Sequence, residues 1–123
     1  MKKYDHKDCS ANMLPVRDAL DFISGKWKLQ ILISIFGGNH RFTQIQKSIP
    51  KITAKVLSKE LKDLEEHLLI ERRVIEDYPV SIVYNSTPYA QTLEPVIIAL
   101  HNWGKNHRKK IIENWGSKDQ AVG

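Results

Sequence analysis

Apolar residues at three- and four-residue spacing predict two helices in the first third of the chain. The first begins at Pro15, which suits the first turn of a helix, and ends before Gly25. The second covers about Lys26 to Phe36 and stops at Gly37–Asn39, because glycine and asparagine adopt positive φ at low cost. Trp27 shares the apolar face of this second helix, so we expect its indole to anchor the core.

A short helix and a longer helix come next, separated by a brief turn. We expect Thr43 to cap the short helix, which runs to Ser48. Thr53 is a good N-cap for the longer helix, which we expect over Val56 to Leu69. One apolar stripe faces the core from this helix, with steps of four, three and four residues: Leu57, Leu61, Leu64 and Leu68.

The hydrophobic period changes after this helix. Ile70–Glu76 and Ser81–Ser86 contain β-branched and apolar residues typical of short strands, and Asp77–Val80 supplies the turn between them. Pro88 opens a last helical region, which glycines at 104 and 116 weaken or end. The order predicts a mainly α protein with a small β-hairpin: a winged helix-turn-helix with flanking N- and C-terminal helices for dimerisation. We expect a polar arm over residues 1–13, this domain over 14–116, and a tail over 117–123.

Composition narrows the class of protein. With 123 residues, 41% apolar and 27% charged, the chain is the size of one ordinary globular domain. The net charge of +5 is unevenly placed. From Arg41 to Lys62 there are six basic residues against one acid, whereas residues 63–80 hold six acids against two arginines. A basic surface confined to the turn and the first half of the longer helix favours a polyanionic partner.

Several kinds of site are excluded by the motifs. The single cysteine, Cys9, rules out an internal disulfide and a zinc site with several thiolates, and the five histidines have no metal-ligand spacing. Gly25-Lys26 lacks the other residues of a P-loop, and no nucleophile elbow or HExxH pair occurs. We therefore expect no enzyme activity, no metal and no cofactor. Leu29–Phe36 is too short to span a bilayer and no signal-peptide core follows Met1, so we expect a cytoplasmic protein without membrane contact.

Particular sequence segments resemble the HxlR-type regulators, a bacterial winged-helix family near the MarR type. They are residues 14–27 (LPVRDALDFISGKW), Arg41-Phe42, residues 49–53 (IPKIT), residues 57–65 (LSKELKDLE) and residues 83–87 (VYNST). The resemblance covers about residues 14 to 104, and the combination of motifs is specific. It implies a homodimeric, sequence-specific transcriptional regulator, usually a repressor, that often responds to electrophiles or oxidants.

Two positions depart from the family pattern. The family often has a cysteine sensor immediately before the proline that matches Pro15, where this chain has Leu14, and Cys9 lies five residues earlier. Cys9 is then either a displaced redox thiol that forms an intersubunit disulfide or an inert thiol on the arm. The family's wing commonly holds a basic residue near the position of Ser81, whereas no lysine or arginine occurs from Val74 to Gly104. We therefore expect the turn and the longer helix to make most DNA contacts.

Candidate DNA-binding residues fall into three groups. One face of the longer helix carries side chains for base edges or phosphates, with Thr53 at its start: Lys55, Ser58, Lys59 and Lys62. The short helix and the residue before it supply register-fixing phosphate contacts: Arg41, Thr43, Gln44 and Lys47. Arg72 and Arg73 either reach the DNA backbone or pair with Glu71 and Glu76. For the first group the alternative is a solubilising face paired with Glu60 and Asp63.

Candidate dimer contacts lie on the flanking helices, because an apolar stripe on a terminal helix needs its own domain or a second subunit to cover it. They are Val16, Leu20, Leu93, Val96, Ile97, Leu100, Trp103, His107 and Ile111. Trp103 and Trp115 are either core or interface residues. The basic run over 105–110 is either a solvated helix end or a DNA contact.

These observations predict a homodimeric winged helix-turn-helix repressor that binds double-stranded DNA at a palindromic operator, with an unknown small-molecule or electrophile effector. The alternative is a dimeric winged-helix module that binds proteins without specific DNA binding. The basic face of the longer helix favours DNA.

Overall fold

The computed structural model describes the backbone of residues 9–122 and the side chains of residues 11–116. The chain divides into two compact units, Met1–Thr87 and Pro88–Gly123. The elements of the first unit are α1 (Cys9–Ile23), α2 (Lys28–Phe36), α3 (Phe42–Ser48), α4 (Ala54–Glu66), β1 (Ile70–Ile75) and β2 (Ser81–Ser86). The second unit consists of α5 (Pro88–Gln91) and α6 (Glu94–Val122). This is the predicted mainly helical fold with a two-stranded hairpin.

Aliphatic side chains from α2, α3 and α4 form the core of the first unit. Ile31, Leu32, Ile45, Leu57 and Leu64 are completely or almost completely inaccessible to solvent. The predicted stripe of α4 is thus confirmed for Leu57, Leu61 and Leu64. Burying one such side chain is worth about 1.5–3 kcal/mol, so these contacts fix α4 against α2 and α3.

The stripe does not extend to Leu68, whose side chain is 70% exposed. The helix ends at Glu66, and Leu68 has a positive φ of 65°, so the chain has already left the helical path. The expectation that α4 continues to Leu69 is therefore wrong. Thr87 stabilises this exit, because its hydroxyl donates a 2.7 Å hydrogen bond to the carbonyl oxygen of Leu68.

The hairpin pairs β1 and β2 antiparallel, with Ile70 opposite Ser86 and Arg72 opposite Tyr84. The segment before α3 extends this ladder: the Tyr84 amide donates to the His40 carbonyl at 2.7 Å. The His40 ring adds a second bond, from Nδ1 to the Tyr84 carbonyl at 3.0 Å. The hairpin of β1 and β2, which forms the wing, is therefore attached directly to the segment before α3.

Capping confirms one predicted helix start and corrects two others. Thr53 precedes α4 and its Oγ1 accepts a hydrogen bond from the Val56 amide at 3.2 Å. Thr43 does not cap α3; Arg41 occupies the N-cap position without a side-chain cap bond, and Thr43 lies inside the helix. Pro15 lies inside α1 and does not begin it. A proline inside a helix removes one main-chain donor and crowds the carbonyl four residues earlier, yet the residues on both sides of Pro15 continue the helix.

The expectation that glycines end the last helix is wrong, whereas their weakening of it stays a prediction. α6 continues through Gly104 and Gly116 as one helix of 29 residues. A single glycine costs a helix only about 1 kcal/mol relative to alanine, which neighbouring residues with good helical propensity offset. Trp27 also differs from the expectation that its indole anchors the core. It is half-buried at the N-cap of α2, and the ammonium group of Lys26 lies 4.7 Å from its ring centroid.

Candidate nucleic-acid interface

The outer face of α4, defined as Lys55, Ser58, Lys59 and Lys62, is exposed to solvent at all four positions. These residues recur at steps of three, one and three, so they lie on the side of the helix opposite the buried leucines. Among the described ion pairs, none involves these three lysines. The face therefore presents three ammonium groups and one hydroxyl that are available to a ligand.

The lateral side of α4 carries two acids, and both interact with one residue of α2. The Lys28 Nζ donates to Glu60 Oε2 at 2.7 Å and to Asp63 Oδ2 at 3.5 Å. The side chains of Lys28 and Glu60 are each only 14% exposed. We refer to Lys28, Glu60 and Asp63 as the Lys28 cluster.

The environment of Lys28 favours its charged form. Burial opposes the charge, but the hydrogen bond to Glu60 and the attraction of the Glu60 and Asp63 carboxylates outweigh it and raise the pKa of Lys28 above its usual value. The predicted alternative, in which Glu60 and Asp63 pair with the outer-face lysines, is therefore wrong. Since Lys28 holds these acids, the outer face keeps its positive charge.

Lys28 is a residue that the sequence analysis missed. It is the first residue of α2, which otherwise carries mostly apolar residues, and a half-buried charged residue at such a position indicates a partner of opposite charge. The partners are 32 and 35 residues away, so local spacing does not reveal them.

The polar residues of α3 lie on the side away from the core. Thr43, Gln44 and Lys47 are exposed, whereas Ile45 is completely buried between them. Arg41 is exposed at the N-cap position. The structure therefore places the second group of candidate residues on solvent-facing positions of the helix that precedes α4.

The structure separates the two arginines of β1. Arg72 lines a cavity of about 250 Å³ together with Ser58 and Lys62 of the outer face. Arg73 is the next residue and points to the other face of the hairpin, because side chains alternate along a strand. Their cross-strand neighbours are Tyr84 and Val83, and no described ion pair joins either arginine to Glu71 or Glu76. Arg72 is thus the arginine of β1 that lies beside α4.

The tip of the hairpin has no basic residue. Glu76 and Asp77 are exposed there, and Tyr78 is fully exposed. Carboxylates are repelled by DNA phosphates, so the wing tip does not supplement the outer face electrostatically.

The candidate dimer residues are mostly exposed on their own units. On α1, Val16 and Leu20 are about half exposed; on α6, Val96, Leu100 and Trp103 are 42%, 49% and 66% exposed. Leu93, Ile97 and Ile111 are half-buried, and His107 is exposed with its ring stacked on Trp103 at 4.6 Å. Trp115 is 63% exposed, so the indoles of both α6 tryptophans lie at the surface.

The remaining candidate features are the thiol of Cys9, the terminal segments, metal ligands and membrane-spanning helices. Cys9 is the first residue of α1, and its side chain lies outside the described residues, as do the side chains of the tail. Of the arm predicted over residues 1–13, residues 1–8 lie outside the described part and residues 9–13 belong to α1. In the part of the chain with described side chains, no three histidine, cysteine or acidic residues come together as a metal site. Each described helix is too short or too polar to cross a lipid bilayer.

Comparisons with known proteins agree with this geometry. The family model for the HxlR-like helix-turn-helix matches residues 22–112. The uncharacterised HTH-type transcriptional regulator YdeP of Bacillus subtilis strain 168 is 38% identical over 97 residues, which cover 79% of this chain and 76% of YdeP. YybR from the same organism is 33% identical over 110 residues, covering 86% and 87% of the two chains.

Solved structures show the same fold. The redox regulator HypR in its reduced form superposes with a TM-score of 0.74 at 31% identity, covering 80% of this chain and 98% of HypR. The reduced form of the transcriptional regulator YodB from B. subtilis gives 0.65 at 30% identity, covering 71% and 85%. With the family match over residues 22–112, these likenesses show that the chain belongs to the HxlR-like helix-turn-helix family of DNA-binding transcriptional regulators.

Proposed function

We propose that this regulator binds operator DNA as a homodimer and represses transcription, with α4 in the major groove. The outer face of α4 supplies base-edge and phosphate contacts, and α3 with Arg41 supplies phosphate contacts that fix the register. Arg72 reaches the backbone beside α4, while Arg73, on the other face of β1, contributes less. A two-fold dimer binds a site of matching symmetry, so the operator is palindromic.

One observation carries the proposal: two acids of α4, Glu60 and Asp63, form ion pairs with Lys28 of α2, while the lysines of the outer face have no described ion-pair partner. If the charges of α4 served only solubility, its lysines and acids would pair with each other on the helix surface. Here Glu60 and Asp63 pair with Lys28 of α2 and not with the lysines of the outer face. The resulting positive face is complementary to the phosphate groups and to the guanine acceptors in the major groove.

The test begins with selection of binding sites from random duplexes by the purified protein. We expect enriched sequences with two-fold symmetry. Replacing Lys59 by alanine should weaken binding to the selected duplex about tenfold, the effect of losing one good contact in the groove. Lys26→Ala removes the same charge at an exposed position that belongs to none of the candidate DNA-binding groups, and it serves as the control, with a much smaller loss.

Two results would contradict this assignment. One is equal binding by wild type and by the alanine variants of Lys55, Lys59 and Lys62. The other is the absence of any enriched duplex together with a stable dimer, which would favour the protein-binding alternative. Repression is tested separately, by placing the selected duplex across a promoter and measuring transcription with and without the protein.

The dimer part of the proposal rests on exposed apolar side chains. Val16 and Leu20 are exposed on α1, and Val96, Leu100 and Trp103 follow one stripe of α6. Apolar stripes of this kind on soluble proteins mark interfaces, and a second copy is the occupant we propose, because two-fold dimers are by far the commonest oligomers of soluble proteins. We expect Leu100→Glu to give a monomer in light scattering. Asn102→Glu, on the opposite side of α6, adds the same charge and should leave the dimer intact.

An oxidant response is the last part of the proposal. It is supported by two structural relatives: HypR, solved in reduced and oxidised forms, and YodB, solved in reduced and diamide-treated forms. Cys9 is the only thiol of this chain. We expect diamide to change the affinity of the wild type for its duplex but not that of Cys9→Ser. A response that persists in the variant excludes Cys9 as the sensor.

A further inference from the structure

The turn between α3 and α4 contains a lysine in a backbone conformation that favours glycine. Ile49 to Ile52 has the features of a type II turn: Pro50 at the second position, a positive φ of 68° at Lys51, and a 3.5 Å bond from the Ile52 amide to the Ile49 carbonyl. The third position of such a turn suits glycine, because a Cβ atom is strained at positive φ.

The geometry of the turn fixes where Lys51 lies. Ile49 and Ile52 are only 4% and 6% exposed, so both ends of the turn are anchored in the core. Lys51 lies between them and is exposed, and no described ion pair involves it. No described hydrogen bond or ion pair of the side chain therefore offsets the strain.

The lysines on both sides of the turn are the second observation that concerns Lys51. Lys51 lies midway along the chain between Lys47 of α3 and Lys55 of α4, and both of these are exposed. The turn thus joins the two groups of candidate DNA contacts. A glycine there would relieve the backbone but leave a gap in this row of positive charges.

We propose that Lys51 is a DNA-contacting residue whose ammonium group binds a backbone phosphate between the positions met by α3 and by the outer face of α4. This inference rests on the proposed DNA binding and names a contact within it. Residues held in strained conformations cluster at functional sites, and Lys51, unlike Leu68, also carries a charge that a phosphate group can bind. Here the cost to folding is compensated by one more phosphate contact in the complex.

Among residues 9–122, one further residue other than glycine has a positive φ, and it provides a matched control. Leu68, at the opposite end of α4, also has a positive φ and an exposed side chain, but it carries no charge. Lys51→Gly and Leu68→Gly relieve the same kind of strain at the two ends of one helix. We expect each to raise Tm by about 2–5 °C. Only Lys51→Gly should weaken DNA binding.

The binding experiment uses full-length protein and a labelled mixed-sequence duplex of about 30 base pairs, which is long enough for two half-sites. Phosphate contacts do not depend on sequence, so the operator need not be known. We expect Lys51→Gly and Lys51→Gln to bind about three- to tenfold more weakly, with the slope of log K against log salt reduced by about one unit. Lys51→Arg should bind like wild type.

Two results overturn the proposal. The first is that Lys51→Gly and Lys51→Gln bind with wild-type affinity and salt slope while Lys59→Ala is weakened, which leaves the proposed function intact. The second is an equal loss of binding in Leu68→Gly and Lys51→Gly, which would assign the loss to a change in α4 itself. If Lys59→Ala also binds like wild type, the placement of α4 on DNA fails, which is a distinct outcome.

Discussion

The lateral side and the outer face of α4 both carry charge, but only the charges of the lateral side have ion-pair partners among the described residues. On the lateral side, Glu60 and Asp63 are held by Lys28, and the side chains of Glu60 and Lys28 are largely removed from solvent. On the outer face, Lys55, Lys59 and Lys62 are exposed without described ion-pair partners. Paired, buried charge contributes to the fold, whereas exposed charge of one sign remains available for a ligand.

The largest expected effect is a loss of stability when the ion pairs on the lateral side of α4 are removed. Lys28→Met leaves two carboxylates without their cation, one of them mostly buried, and should lower the free energy of unfolding by about 2–3 kcal/mol. Urea unfolding measures this loss. On the outer face, Lys59→Ala should change stability by less than about 0.5 kcal/mol. Equal losses in the two variants would remove the distinction between the two sides of the helix.

A second prediction concerns the start of the outer face. Thr53→Ala removes the hydroxyl that accepts from the Val56 amide, and should cost about 1 kcal/mol of stability. Thr43→Ala is its control, because Thr43 lies inside α3 and does not cap it. Thermal unfolding of the two proteins side by side is sufficient. A loss in Thr43→Ala as large as that in Thr53→Ala would show that the cap bond is not the cause.

A smaller effect, of opposite sign, is expected at the far end of the helix. Leu68→Gly should raise the free energy of unfolding by about 0.5–1 kcal/mol, because glycine adopts positive φ without strain. Leu68→Ala shortens the same exposed side chain but keeps a Cβ atom, so it should give no such gain. If alanine stabilises the protein as much as glycine does, exposure of the leucine and not its backbone conformation is responsible.

The smallest effect is expected from alkaline pH, and it again concerns the lateral side. The pKa of Lys28 is raised in the folded protein, because its attraction to Glu60 and Asp63 outweighs burial. Its stabilising contribution is therefore complete below the unfolded lysine pKa of about 10.4 and is lost as pH rises through the higher folded value. The difference in stability between wild type and Lys28→Met should be constant from neutral pH to about pH 10 and fall above it. A difference that falls at acidic pH only would contradict the role of Lys28.

Much of the fold followed from local patterns. The spacing of Leu57, Leu61 and Leu64 predicted the buried side of α4, and Thr53 predicted its start, because both signals operate within one or two helical turns. Residues whose local preference is overridden by their neighbours were misjudged. Pro15 and Gly104 disfavour a helix interior and Thr43 suits a cap, yet all three lie inside helices that the neighbouring residues continue.

The candidate site was predicted in part, as far as its residues share one element. Lys55, Ser58, Lys59 and Lys62 share one face of α4 by their spacing alone. Which arginine of β1 lies beside them depended on the packing of the hairpin, and only the structure distinguished Arg72 from Arg73. The role of these residues in DNA binding stays a prediction until the variants are measured.

The sequence by itself determined the order of the elements, the buried stripe of α4 and the basic character of its outer face, because all three depend on residues close together along the chain. Tertiary structure decided that Lys28 pairs with Glu60 and Asp63 across 32 and 35 residues, and that Lys51 adopts a positive φ. Both depend on how α2, α3 and α4 pack together. Packing selects partners by distance in space, and hydrophobic periodicity contains no information on that distance.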